Sequence, residues 1–305
     1  MADQPAHSTD PDKSSAVPHV EKKIASTLVE YGKIILTILL AAIFLKSFVV
    51  DAYRIPTTSM ENTLNAGDFI FVNKLAYGLR TPRYVPFTKI PLPHFAIPIF
   101  HTIRRGDVMV FEFPGNQNEL HTSEQINFIK RCIGLPGDTV EIRNGLVIVN
   151  GIVTPSPPLG KNSNISNSQL ENEKIFPEGS GFSSTNYGPI VIPKKGNIWE
   201  INVFNITQWQ VFIEREGHNV QLNGDKLSID GKIASSYEIQ QNYYFVLGDN
   251  RNNSLDSRYW GFLPDDNLIG EALFIYWSWN PEISNASLSE RISAIQWGRI
   301  GTLIR

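Results

Sequence analysis

The chain has 305 residues, enough for one large domain or two smaller ones, and its 42% hydrophobic and 19% charged residues match ordinary globular usage. A net charge of −3 excludes a general nucleic-acid binder, which would present a basic face. A single cysteine, Cys132, excludes an internal disulfide, and without HExxH, CxxC or GxxxxGK[ST] patterns neither a zinc site nor a phosphate loop has support.

Residues 1–30 begin with a polar Pro/Ser/Asp/His stretch and read as a disordered tail on the cytoplasmic side. Residues 31–50 read as a membrane anchor. Within them Ile34–Val50 is an apolar run of 17 residues, at the short end for a spanning helix, with Lys46 near its outer end able to snorkel. A buried soluble helix would show a polar stripe, and this segment has none. A cleaved signal peptide would have a shorter polar region ahead of its core. Lys22, Lys23 and Lys33 precede the span, so the positive-inside rule places the N-terminus in the cytoplasm and everything after Asp51 outside.

Beyond the anchor the pattern is strand-like. Phe69–Asn73, Asp107–Phe113, Thr139–Ile142, Leu146–Val149, Ile190–Ile192, Val211–Ile213, Tyr243–Leu247 and Ala272–Tyr276 are short runs of β-branched and aromatic residues. Asn144-Gly145, Asn223-Gly224 and Asp230-Gly231 are hairpin signals. The expectation is an all-β outer part with antiparallel pairing: a catalytic domain from 51–150 and 241–305, and an inserted β-rich subdomain at 151–240. Residues 78–105 are too proline-rich for a central strand; this apolar loop either dips into lipid or packs on its own domain. Residues 155–186, rich in Ser, Asn, Pro and Gly, read as a flexible excursion. The C-terminal stretch Ser284–Arg305 reads as a short basic strand or helix, and no function attaches to it.

Three stretches carry chemistry. Ser59 lies in RIPTTSM, directly after the anchor. A serine hydroxyl needs a base, and no GxSxG elbow is present. A lysine can serve if it is neutral, and burial among apolar groups favours that form. Lys130, in INFIKRCIGLPGD, has such neighbours. In a strand, Phe128, Lys130 and Cys132 share one face, while Arg131 points the other way, into water. On spacing alone, a turn serine and a solvated strand lysine are the commoner readings of both. The third stretch, GDNRNNSLDSRYW at 248–260, fails as a calcium loop, because its sixth position is Ser254 and its twelfth Trp260.

Together PTTSMENTL (56–64), KRCIGLPGD (130–138) and GDNRNNSLDSRYWG (248–261), in that order behind an anchor, resemble the bacterial type I signal peptidases, or leader peptidases. The resemblance covers most of the chain. It implies a membrane-anchored serine endopeptidase of the bacterial cytoplasmic membrane, its catalytic domain on the outer, periplasmic side, with no cofactor and no metal. Ser59 would be the nucleophile and Lys130 the general base. Ser254 would hold the lysine amine, Asp256 and Arg258 would pair to fix their loop, and Asp249 and Arg251 would support it. The Ser59 backbone N–H and the Thr57 hydroxyl would form the oxyanion hole. The family often has serine at the position of Thr57, and proline where this chain has Asn62. Met60, Phe128 and Ile129 are candidate walls of shallow apolar pockets. The partners implied are the lipid bilayer and secretory preproteins with small residues at the first and third positions before the cut. Two other classes compete: a self-cleaving repressor with the same Ser-Lys chemistry, whose DNA-binding domain is not evident here, and a non-catalytic anchored β scaffold, which would leave Ser59 far from Lys130.

Overall fold

The computed structural model describes residues 17–82, 88, 90, 92–93, 95–97, 102–120, 122, 126–155, 170, 174–280 and 288–305. They fall into two compact units, one ending at Ser47 and one comprising Phe48–Arg305. All but the last residue of α1 (Val17–Phe48) belongs to the first, and its stretch Thr27–Phe48 is 22 residues long with mean hydropathy 2.1. That length exceeds the 17 residues read from the sequence and suffices to span a bilayer. Residues 17–30, expected as part of a tail, are helical, because the apolar run propagates the helix past its own polar flank. The remainder of that expected tail, 1–16, lies outside the described residues.

The second unit is built on antiparallel strands, as expected. Seven of them form one sheet: β1 (Val50–Arg54), β2 (Asp68–Asn73), β5 (Val108–Glu112), β6 (Asn127–Gly134), β16 (Tyr243–Leu247), β17 (Leu263–Pro264) and β18 (Leu268–Ser278), in the spatial order β1-β2-β18-β5-β6-β16-β17. Between β2 and β5, the two-residue strands β3 (Leu79–Arg80) and β4 (Ala96–Ile97) pair with each other; the rest of the proline-rich loop, residues 83–101 for the most part, lies outside the described residues. A second sheet has the order β10-β7-β8-β9, from β7 (Thr139–Arg143), β8 (Leu146–Val149), β9 (Ile152–Val153) and β10 (Tyr187–Val191). β11 (Ile198–Glu200) pairs with β15 (Ser236–Glu238), and β12 (Val220–Asn223), β13 (Lys226–Ile229) and β14 (Lys232–Ile233) form a small meander. Short helices α2 (Ile206–Arg215), α3 (Ser257–Trp260) and α4 (Leu288–Ser293) complete the unit.

Two hairpin signals act as read: Asn144-Gly145 joins β7 to β8 and Asp230-Gly231 joins β13 to β14, all with positive φ. Asn150-Gly151, between β8 and β9, is a third turn of this kind. At the remaining signal, Asn223 pairs with Lys226, so the two-residue loop is Gly224-Asp225.

Val211–Ile213, expected as a strand, lies inside α2. Ile206 and Ile213 are fully buried seven residues apart, and Phe212 packs on Phe176 and Phe262. Tertiary packing of an i, i+3, i+7 stripe overrides the β-preference of Val-Phe-Ile. Phe176 itself belongs to the expected excursion 155–186; its described part, 174–186, is docked, while 156–169 and 171–173 lie outside the described residues. The expected insertion 151–240 shares its sheet with β7 and β8, and its core continues through Ile133, Phe245 and Phe262.

β1 and β6 stand four places apart in the main sheet, roughly 19 Å across a flat one. Register shifts within β18 mark bulges, which strengthen twist and coiling. The segment that follows β1 packs across the sheet. Ile55, Met60 and Leu64 are buried against Ile70 and Val72 of β2, Val108 and Val110 of β5, and Ala272 and Ile275 of β18. Burial of these three apolar side chains is what carries the turn holding Ser59 from one side of the sheet to the other.

Candidate active site

Ser59 opens a tight turn in which Leu64 N–H donates to Met60 O at 2.7 Å. Asn62 in this turn has φ +76°, a left-handed conformation that proline cannot adopt, so this chain builds the turn with an asparagine where its resemblance family often has proline. The Asn62 N–H donates to Asn65 Oδ1 at 3.0 Å, closing the turn by a side-chain bond instead of a ring.

Lys130 arrives from β6. Its Nζ lies 2.8 Å from Ser59 Oγ and 3.0 Å from Ile129 O, and the residue is only 4% exposed. The Phe128 ring centroid lies 5.1 Å from the amine. Burial lowers the Lys130 pKa from 10.5 to about 8, against the opposing pull of Asp256 and Asp249. The amine can therefore lose its proton near neutral pH while in direct contact with the hydroxyl.

The loop after β16 clamps the turn. Asn250 N–H donates to Ser59 O at 3.0 Å, Asn250 Nδ2 donates to Thr58 O at 3.2 Å, and Asn253 Nδ2 donates to Thr58 Oγ1 at 2.8 Å. Gly248 is required by close approach: a Cβ there would sit 2.1 Å from Ser254 Oγ and 2.6 Å from Ser59 O. Asp256 and Arg258 form the bidentate pair expected for them, at 2.8 and 2.9 Å. Burial alone would push the Asp256 carboxyl up, but Arg258 beside it holds it below the usual range. The Asp256 carboxylate also caps α3 and accepts the Gly248 N–H.

Arg131 and Ser254 depart from expectation, and Asp249 and Arg251 act through partners the sequence did not indicate. Arg131 is 6% exposed, not wet: its guanidinium binds Asp249 through two bonds of 2.8 and 2.6 Å and donates to Gly106 O. Asp249 thus pairs with the neighbour of the lysine, and its carboxylate also accepts from Thr63 Oγ1 at 2.6 Å. The physical reason is that a carboxylate on the buried loop needs a partner inside, and Arg131 in the strand beside it is within reach. Arg251 does support the loop, but through Gly248 O at 3.1 Å and by offering its own carbonyl to Arg258. Ser254 Oγ is buried beside the site yet has no hydrogen-bond partner among the described residues, so its hydroxyl is not joined to the lysine amine; it stands near enough to Asp256 to favour that group's ionised form. Sequence reasoning missed Arg131, Thr63, Asn250 and Asn253 as parts of the site, although all four stand inside the quoted motifs.

A cleft of about 550 Å³ opens onto the serine and lysine. One wall runs from Tyr53 through Thr57 to Met60 and Leu64; the other is Ile126–Lys130. Met60, Phe128 and Ile129 line it as expected, and Thr57 is exposed on its wall. Residues 127–129 bond to β5 on one side, whereas β16 begins to pair with β6 only at Arg131, so among the described residues their outer backbone edge has no strand. Among the described residues no group of His, Cys, Asp and Glu is arranged to hold a metal ion.

Residues 28–277 match the sequence profile of the family described as signal peptidase, peptidase S26. The chain is 34% identical over 280 residues to signal peptidase I of Pseudomonas aeruginosa, spanning 88% of this chain and 79% of that one. It is 33% identical over 251 residues to signal peptidase I of Aquifex aeolicus, spanning 79% and 81%. To signal peptidase I T of Bacillus subtilis it is 26% identical over 271 residues, spanning 88% and 95%.

Proposed function

Because this chain belongs to the signal peptidase family, peptidase S26, and is thus a serine endopeptidase that removes signal peptides, we propose that Ser59 and Lys130 carry its reaction as nucleophile and general base. The observation that supports this is the 2.8 Å contact between the hydroxyl and a buried amine of lowered pKa. A non-catalytic scaffold has no use for such a pair, since keeping an amine dry is costly.

In the reactive form the amine is neutral and the hydroxyl donates to it. As Ser59 Oγ attacks the scissile carbonyl, its proton passes to Lys130 Nζ. The Ser59 N–H and the Thr57 hydroxyl hold the oxyanion. When the C–N bond breaks, Lys130 returns that proton to the leaving amine. It then takes a proton from the water that opens the acyl-enzyme. Asp249, Arg251, Asp256 and Arg258 keep the loop in place.

The end of the signal peptide lies as an added strand between residues 127–129 and the Pro56–Thr58 segment, using the open backbone edge of β6. Small residues at the first and third positions before the cut face Met60, Leu64, Phe128 and Ile129, where larger ones would collide. The apolar α1 and the family together fit a membrane-anchored protein. We assign its N-terminus to the cytoplasm and Phe48–Arg305 to the outer side of a bacterial cytoplasmic membrane; only about ten residues separate Ser59 from the end of the span, so the site works at the bilayer surface.

Purified full-length protein in detergent, incubated with a preprotein bearing an Ala-x-Ala site, is expected to release the mature protein. Ser59→Ala and Lys130→Arg should each abolish release with the fold intact, because arginine cannot become neutral. Turnover by either variant would overturn the assignment.

A further inference from the structure

We propose that Arg299, in the C-terminal segment, is a positioning residue for the nucleophile: it braces the far side of the turn that presents Ser59. This rests on the Ser59–Lys130 reading above.

The turn is held from two directions by two guanidinium groups. Arg131 acts from the lysine strand through Asp249, which accepts from Thr63 Oγ1. Arg299 acts from the C-terminal segment. Its Nη2 donates to Thr63 O at 3.3 Å, and its Nε and Nη2 bind the two oxygens of Asp68 at 2.9 and 2.5 Å. Asp68 is fully buried at the start of β2 and accepts from Asn65 N–H at 2.7 Å and Ser278 Oγ at 2.7 Å. Asn65 in turn accepts from the left-handed Asn62. A continuous chain of bonds therefore runs from Arg299 through Asp68 and Asn65 to Asn62, three residues after the serine. Arg299 neither lines the cleft nor reaches the dyad, so it acts only through the turn.

The segment bearing Arg299 is itself anchored. Gln296 N–H donates to Ser278 O, Gly301 N–H to Ile275 O, and Ile304 N–H to Leu273 O, while Ile275 N–H donates to Thr302 O. The last residues thus pair along the part of β18 that β5 leaves open. The serine turn connects strands by a run with few regular backbone bonds, so its geometry depends on such side-chain braces. Loss of one brace lets the hydroxyl drift from the amine, and a displacement of about 1 Å costs up to about a hundredfold in rate.

The test uses full-length protein in detergent and the same preprotein, with Arg299→Met, Arg299→Lys and the pair Asp68→Asn/Arg299→Met, against wild type and Ser59→Ala. Circular dichroism and thermal unfolding report the fold. The expected result for Arg299→Met is a kcat lower by about tenfold to a hundredfold with KM within about twofold, and an acid limb of the rate profile moved to higher pH as water reaches Lys130. Arg299→Lys, which keeps the charge but cannot span Asp68 and Thr63 together, should recover part of kcat. If Arg299→Met fails to fold, the double variant, which leaves no buried carboxylate unpaired, decides. A folded variant with wild-type kcat and an unmoved acid limb, or a loss confined to KM, overturns the proposal. Activity in Ser59→Ala would instead overturn the dyad reading.

Discussion

Replacing Lys130 by methionine should stabilise this protein below pH 8, and the gain should fade as pH rises. The lysine is 4% exposed and its pKa falls from 10.5 to about 8, chiefly by burial. The folded state thus binds its proton less tightly than the unfolded chain does. Below pH 8 both states are protonated and folding carries the full cost of the buried ammonium, roughly 3 kcal/mol for a fall of this size. Between pH 8 and 10.5 the folded protein has lost the proton and the unfolded chain still holds it, so wild-type stability climbs; above 10.5 the cost is gone. Methionine keeps most of the volume and none of the charge. It forfeits the bonds to Ser59 Oγ and Ile129 O, on the order of 1 kcal/mol each, so the net gain at pH 7 is expected at ~1–2 kcal/mol and turns into a loss by pH 10.5. Urea unfolding of wild type and Lys130→Met at several pH values from 6 to 10.5 measures the difference, in which other titrating groups cancel. Parallel stability curves would refute the claim that burial keeps this amine short of a proton. The same titration governs turnover, because only the neutral amine can accept from serine: cleavage should rise with pH toward a midpoint near 8.

Other substitutions probe the frame around the dyad. Asn62→Pro should cost about 3 kcal/mol or more, since φ +76° is closed to proline and the bond to Asn65 is lost, whereas Asn62→Gly should change the melting temperature little. Gly248→Ala forces a Cβ to within 2.6 Å of the Ser59 carbonyl, and is expected to cost about 1–3 kcal/mol and at least tenfold in kcat; a fully active, equally stable variant would contradict the close packing. Arg131→Met leaves the buried Asp249 without its cation and should destabilise by about 3–5 kcal/mol in urea titration, with Arg131→Met/Asp249→Asn recovering much of the loss.

What this chain determines by itself is local. Asp256 and Arg258 stand two residues apart on one loop, so their pairing follows from proximity along the chain. Short runs of β-branched and aromatic residues mark β2, β5 and β16, and the Asn-Gly and Asp-Gly pairs mark the β7–β8 and β13–β14 hairpins, because both signals live within a few residues. The same locality misled at Val211–Ile213, where a strand-forming tripeptide becomes one face of a helix once Phe176 and Phe262 pack on it.

The long-range partners were decided by the fold. Asp249 is joined to Arg131 across 118 positions, and Asp68 to Arg299 across 231. No periodicity encodes those choices; they follow from the order of strands in the main sheet and from the packing of the serine turn against it. The residue types needed for the chemistry, a hydroxyl and an amine among apolar neighbours, are written in the chain itself. Whether that amine is dry, and so able to take a proton, depends on what the rest of the molecule folds around it, since desolvation is a property of a surrounding volume and not of a sequence window.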